Sequence, residues 1–186
     1  ASYRRQRQMC IRDRSFTFYM RLKFLPSFVK RRGRITKKQE HSLRKLDNYS
    51  IKNLSEIISL SRAYECCTLE IGFGNSEYLQ RQAMENPSTL FIGSEVYLSG
   101  IGTLVGAIEE KKLSNVRIFP DDARILLDQG SESIFDEVVI LCPDPWPKDR
   151  HHKRRLLQPE FIEMLLKTLK WNGRLYISTD WQHYAD

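Results

Sequence analysis

The sequence predicts an α/β fold built on a doubly wound, mostly parallel sheet. Three observations carry that prediction. From residue 68 onward, short apolar runs alternate with amphipathic stretches, which is the strand–helix rhythm of a parallel sheet. The runs are rich in Val, Ile, Leu and Phe rather than strictly alternating, as suits strands covered on both faces. Turn-forming residues separate the units at Gly72-Phe73-Gly74, Asn86-Pro87 and Asn172-Gly173. Right-handed crossovers would then wind helices onto both sides of the sheet. A chain of 186 residues is long enough for one such domain with a substantial core.

Taken in order, residues 1–15 are Arg-rich and aperiodic, and are expected to lack fixed structure. Within them, Arg7 to Arg14 resembles translated sequencing-adapter readthrough and is assigned no function. Residues 16–29 read as an aromatic-containing lead-in or an ordinary linker, so residues 1–29 are expected to be a basic arm and residues 30–186 the folded domain. Thr36 can N-cap a helix from Lys37 to Leu46, with Gln39 at the capping-box position. Strand one is expected at Thr68–Gly72, followed by a helix over Ser76–Met84 that closes at Asn86-Pro87. Strand two is Leu90–Val96, with a helix over Gly100–Lys112. Strand three is Asn115–Pro120, with a short helix over Ala123–Asp128. Strand four is Phe135–Leu141. A long amphipathic helix over Pro159–Lys170 is expected to end at Asn172-Gly173, and strand five is Arg174–Thr179. The chain stops at Asp186, soon after strand five, so one sheet edge is expected to stay open and the last strands to be missing.

Net charge is +7 and unevenly spread. The first 50 residues hold 15 Lys/Arg against 3 Asp/Glu, and the rest hold 15 against 20. A basic arm on a mildly acidic body suggests a polyanionic partner, the alternative being a solvated basic tail with none. Cys10, Cys66, Cys67 and Cys142 form neither CxxC nor a zinc spacing with His. Cys66 and Cys67 would face opposite sides of a strand and cannot share a metal, so no metal site is expected. Four unpatterned cysteines suit a reduced, cytoplasmic compartment. No apolar run approaches the ~20 residues of a membrane span. The Phe16–Phe28 stretch is broken by Arg21 and Lys23, so it does not read as a signal peptide.

Ligands of open α/β sheets bind beyond the carboxyl ends of the strands, and candidate chemistry collects there. After strand one, Leu69-Glu70-Ile71-Gly72-Phe73-Gly74 supplies an acid and a glycine turn that allows close backbone approach. The dinucleotide fingerprint fails, because Glu77 stands where its third glycine belongs. A pyrophosphate beside Glu70 would be repelled, whereas a cationic ligand without phosphate is favoured. S-adenosylmethionine, with its sulfonium and ammonium, fits that requirement. Glu95, after strand two, can accept from both ribose hydroxyls, and Asp122, after strand three, can reach an adenine amino group. Taken singly, Glu70 could be an ordinary exposed acid, Glu95 a helix-end charge and Asp122 an N-cap. Three acids after three successive strands point to one pocket.

After strand four comes Pro143-Asp144-Pro145-Trp146-Pro147-Lys148, and then Arg150-His151-His152-Lys153-Arg154-Arg155. This combination resembles the tRNA (guanine-N7-)-methyltransferases, a group of class I, Rossmann-like, S-adenosylmethionine-dependent enzymes. The resemblance runs from Arg32-Gly33-Arg34 to Thr179-Asp180-Trp181. It implies that Glu70, Gly72, Gly74, Glu95, Asp122 and Asp144 bind the cofactor, and that Asp144 is also catalytic. It implies that Lys148 and Asp180 contact the substrate, and that Arg150, His151, His152, Lys153, Arg154 and Arg155 contact tRNA. Ser76 departs from the family, which often has a further glycine there, and Asp149 places an acid inside the basic strip. The family's C-terminal Thr-x-x-Glu motif is not reached before Asp186. Trp146 either stacks on a base or packs under the loop. The competing expectations are an RNA-binding domain of this type without turnover, and a methyltransferase with another acceptor.

Overall fold

The computed structural model describes residues 24–28 and 34–185. The basic arm up to residue 23, Arg32 and Gly33 of the Arg32-Gly33-Arg34 element, and Asp186 lie outside the described residues. Five parallel strands form one sheet in the order β3-β2-β1-β4-β5. They are β1 (Cys66–Ile71), β2 (Thr89–Ser94), β3 (Val116–Phe119), β4 (Phe135–Leu141) and β5 (Leu169–Ser178). Two helices precede the sheet, α1 (Lys37–Leu43) and α2 (Leu54–Ser61). The crossovers are α3 (Glu77–Glu85), α4 (Leu98–Lys111), α5 (Ala123–Leu127) and α6 (Pro159–Thr168), and α7 (Gln182–Ala185) follows β5.

Two apolar clusters cover the two faces. On one, Leu54 and Ile57 of α2, Leu126 of α5, and Phe161 and Leu165 of α6 pack on Leu69, Ile92, Val138 and Ile140. On the other, Leu79 and Ala83 of α3 and Leu104, Val105 and Ile108 of α4 pack on Phe91 and Ile118. The sheet is thus doubly wound, as expected. Its central strand β1 is buried from Cys67 through Ile71, so its sequence shows no polar alternation. Cys66 is exposed and Cys67 buried, on the opposite faces their adjacency requires.

Local chemistry explains most boundaries. Thr36 accepts from the Gln39 amide at 3.2 Å and the Gln39 side chain accepts from the Thr36 amide at 2.9 Å, completing the capping box. Asn115 ties the α3–β2 connection by donating to the carbonyls of Ala83, Asn86 and Thr89. Two expectations need correction. The first helix ends at Leu43 rather than Leu46, because Leu46–Asn48 tightens into a separate 3₁₀ turn. The helix over Pro159 ends at Thr168, not at Asn172-Gly173. Leu169 is already extended and pairs with Phe135, and the next pairing is Glu137 with Arg174. Lys170 to Gly173 therefore bulge out of β5, where Lys170 Nζ reaches both Asp136 carboxylate oxygens at 2.9 and 3.0 Å. Helix α2 falls in a stretch where the sequence pattern predicts no element; Asn53 caps it by accepting from the Glu56 amide.

Candidate active site

β1 and β4 are neighbours whose following helices lie on opposite faces of the sheet, so a crevice opens beyond their carboxyl ends. A cavity of about 230 Å³ sits there. Its wall comes from Gly72 and Gly74 after β1, Ser94 to Tyr97 after β2, Asp121 to Ala123 after β3, and Leu141 to Asp144 after β4. Ser27 and Phe28 close the outer side. Four strand tips thus converge on one cavity.

The glycine turn is held by backbone geometry. Gly72 and Gly74 both have positive φ, 74° and 50°. Glu95 braces the turn: one carboxylate oxygen accepts from the Gly74 amide at 2.9 Å, and the other from the Val96 and Tyr97 amides at 2.6 and 3.0 Å. Gly100 of α4 lies so close beneath that a Cβ there would stand 2.3 Å from the Gly74 carbonyl oxygen. Ser76 occupies the left-handed region with φ 62° where glycine would be unstrained. Its hydroxyl is engaged, donating to the Asn75 carbonyl at 2.6 Å and accepting from Gln80 Nε2 at 2.8 Å.

The acids differ in environment. Glu70 does not stand on the cavity wall; it is buried in β1 behind it, 4% exposed, with Oε2 lacking any hydrogen-bond partner. Burial, reinforced by Glu95, pushes its pKa up to about 7. Asp122 is on the wall but already engaged. It caps α5 through the Arg124 amide at 3.0 Å, and its carboxylate takes the Arg124 guanidinium, with Nε at 3.0 and 3.1 Å. Its N-cap reading therefore holds, at a position that also lines the cavity. Asp144 lines the cavity and is exposed.

The loop after β4 joins this cavity to the basic strip. Asp144 is bracketed by two left-handed residues, Cys142 at φ 47° and Trp146 at φ 42°. Trp146 packs rather than standing open. Its indole Nε1 donates to the Ser27 carbonyl at 2.8 Å, and the Arg154 guanidinium lies 5.1 Å from its ring centroid. Lys148 is exposed and begins a 3₁₀ turn over Asp149–Arg154. Arg150 and Lys153 are exposed, while His151, His152, Arg154 and Arg155 are half-buried. Partial desolvation and the surrounding cations, Arg150 foremost, hold His151 below the ordinary histidine range. That favours its neutral form. Arg155 spends its donors internally, on the carbonyls of Pro145 and His183 at 3.0 and 3.2 Å, and stacks on Tyr184. It braces the loop instead of facing outward, unlike the role the strip implied for it. Asp180 is exposed between β5 and α7 and does not line the cavity.

Sequence reasoning missed Arg124 and the segment Phe24 to Phe28. A cation two residues from a pocket acid carries no motif, and the partners of the segment lie 99 and 119 residues away along the chain. Its signal was the largely apolar stretch Phe16–Phe28, which also carries Phe18, Tyr19 and Phe24.

The donor set fits S-adenosylmethionine. A buried carboxylate oxygen without a partner and the neighbouring Glu95 favour a positive group at one end. The Asp122–Arg124 pair presents a neutral edge at the other. Among the described residues no group of three His, Cys, Asp or Glu could hold a metal, and no helix is long and apolar enough to cross a membrane.

Comparison with known proteins agrees with this geometry. A family described as "Putative methyltransferase" matches residues 65–186. The tRNA (guanine-N(7)-)-methyltransferase of Nitrosomonas europaea is 43% identical over 165 residues, covering 86% of this chain and 73% of that protein. The enzyme of the same name from Hyphomonas neptunium is 41% identical over 165 residues, covering 86% and 75%. Among solved structures, one titled as an antibiotic-related methyltransferase superposes with a TM-score of 0.54 at 20% identity, covering 70% of this chain and 65% of that one. That likeness concerns the fold alone.

Proposed function

The chain belongs to the tRNA (guanine-N7-)-methyltransferase family, and from that membership we propose how its strand-tip pocket and cationic loop divide the work. The protein transfers a methyl group from S-adenosylmethionine to N7 of a guanine in tRNA. The observation that carries the division of work is the shared cavity. Glu95 and Asp144 line one crevice, and the loop that bears Asp144 continues directly into the basic turn.

The cofactor supplies, when bound, a methyl group on positively charged sulfur. Gly72 and Gly74 let the backbone come close to it, and Glu95 orients its sugar while bracing the turn. Glu70 supplies buried negative charge behind the turn, and Asp122 presents an acceptor edge to the base. Guanine N7 carries an in-plane lone pair and no proton, so Asp144 has no proton to remove. The ring gains positive charge as the methyl arrives. Asp144 serves as acceptor for the guanine N1–H or amino group and as negative charge beside the developing cation. Pro143 and Pro145 restrict its backbone, so little reorganisation is needed.

Lys148 and Asp180 take the nucleotide around the guanine. Arg150, Lys153 and Arg154 take phosphates, which position the RNA without reading its sequence. His151 and His152 shape the turn between these cations. Residues 30–186 form the methyltransferase domain, and residues 1–29 carry an excess of basic charge that suits a polyanionic partner, in a cytoplasmic enzyme that meets the tRNA pool there.

The test is methyl transfer to tRNA by the full-length protein, with m7G measured by mass spectrometry of digested RNA. Asp144→Ala is expected to lower turnover by about 10²-fold or more while tRNA affinity is largely kept. Near-normal turnover in that variant strips Asp144 of its catalytic role, and absence of m7G with the wild-type protein removes the activity.

A further inference from the structure

Arg124 belongs to none of the sequence motifs described above, yet its guanidinium is engaged on several sides near the cavity. It is a 7% exposed cation directly behind the pocket wall. Its Nε contacts both Asp122 oxygens and its Nη2 contacts Oδ2 at 2.5 Å. Its remaining terminal nitrogen, Nη1, points the other way and donates to the Leu25 carbonyl at 2.7 Å. The Phe24 ring sits 5.6 Å from the guanidinium carbon. Further along this segment, the Ser27 carbonyl is held by Trp146 from the opposite side of the crevice. Residues 25–27 are thus slung between an anchor at the β3 tip and one at the β4 tip, and Ser27 and the adjoining Phe28 stand on the cavity wall.

The same guanidinium has an electrostatic effect. It cancels the charge of Asp122, so of the two acids at the β3 tip only Asp121 keeps its charge, while Glu70 and Glu95 stand together at the other end. A buried ion pair of this kind is a poor source of stability compared with an apolar filling, which makes a role beyond stability the better account of it. A ligand with a cationic end and an uncharged heterocyclic end is oriented by that gradient and covered by the segment it crosses.

We propose that Arg124 is a positioning residue: it sets the polarity of the cofactor pocket and ties Phe24 to Phe28 across it as the outer wall. The inference rests on the reading of the cavity as the S-adenosylmethionine site. It assigns to one side chain two tasks that a merely structural ion pair would not perform together.

The experiment uses the full-length protein with Arg124→Met and Arg124→Lys. Because Arg124→Met leaves Asp122 charged and buried, the double variant Asp122→Asn/Arg124→Met covers the case in which the single one does not fold. The readouts are S-adenosylmethionine affinity by calorimetry, amide hydrogen exchange over residues 24–28, and the split between the cofactor KM and kcat. Arg124→Met is expected to weaken cofactor binding by about tenfold or more and to speed exchange over 24–28, with KM rising more than kcat falls. Arg124→Lys recovers part of the affinity, because it keeps the charge, but not the protection, because one ammonium does not span both partners. The double variant shows weakened binding and fast exchange together. Cofactor affinity within about twofold of wild type, or unchanged exchange over 24–28, in a folded variant overturns the proposal. Failure of the wild-type protein to bind S-adenosylmethionine instead overturns the pocket reading on which it rests, so the two failures are told apart.

Discussion

At Glu70 the structure holds a carboxyl group in the state least natural to it. Burial and the nearby Glu95 raise its pKa to about 7, and Tyr78, whose own pKa is raised by burial and by charges that include Glu70, packs near it. The folded protein therefore keeps a proton that the unfolded chain would release near the ordinary glutamate value. Between those two values the native state binds more protons, so stability falls as pH rises towards about 7 and is level above it. A positive ligand end placed beside Glu70 favours the ionised form and expels that proton. Cofactor affinity should then strengthen as pH rises towards about 7, by up to about tenfold per unit, and Glu70→Gln should flatten the dependence. Calorimetry across that range decides, and an equal slope in the variant counts against the assignment. The identity of this acid was plain in the sequence, because an acid before a glycine turn at a strand end is a strong local signal. Its burial was not, because that depends on α3 and on strands paired with β1 from elsewhere in the chain. Asp122 makes the same point differently. Its position was legible, but its partner Arg124 was not, since a charge pair at that spacing looks like any solvated helix start.

Among the elements, the contact between the glycine turn and α4 sets how closely a ligand can approach. Gly100→Ala tests it, because two effects oppose each other there. Alanine favours a helix over glycine by about 1 kcal/mol. The new Cβ would stand 2.3 Å from the Gly74 carbonyl oxygen, a backbone atom that moves only with the turn. Overpacking of that kind costs about 1–3 kcal/mol, so the clash wins. The variant should melt lower and bind S-adenosylmethionine more weakly; tighter or equal binding would show that the turn yields freely. Strands and crossovers were legible from residue 68 on because each carries its own periodicity and punctuation. The end of α6 was not. Asn172-Gly173 is a good helix-stop signal, but the pairing of Leu169 with Phe135 extends the chain first and leaves the dipeptide to form a bulge. Tertiary pairing outcompeted a local cue.

Across the whole molecule, charge separates into a mildly acidic body and cationic surfaces, and this sets how tRNA binding responds to salt. Each phosphate neutralised contributes about 0.7–0.9 to the slope of log K against log salt. Replacing Arg150, Lys153 and Arg154 together with Ala should weaken tRNA binding and flatten that slope, as measured by filter binding from low to physiological salt. Arg155→Ala should behave differently, lowering the melting temperature with little change in slope, because its guanidinium ties Pro145 to His183 and Tyr184. The composition of the strip was visible in the sequence, but the inward turn of one arginine was not, since nothing local distinguishes it from its neighbours. The same ties bear on the loop around Asp144. Cys142 and Trp146 hold left-handed backbones that non-glycine residues adopt reluctantly, in a loop gripped from two distant parts of the chain, by Ser27 at Trp146 and by His183 through Arg155 at Pro145. The proline-rich hexapeptide is therefore not a portable module: cut out as a peptide, or transplanted onto another scaffold, it would relax into other shapes and leave its reactive geometry behind.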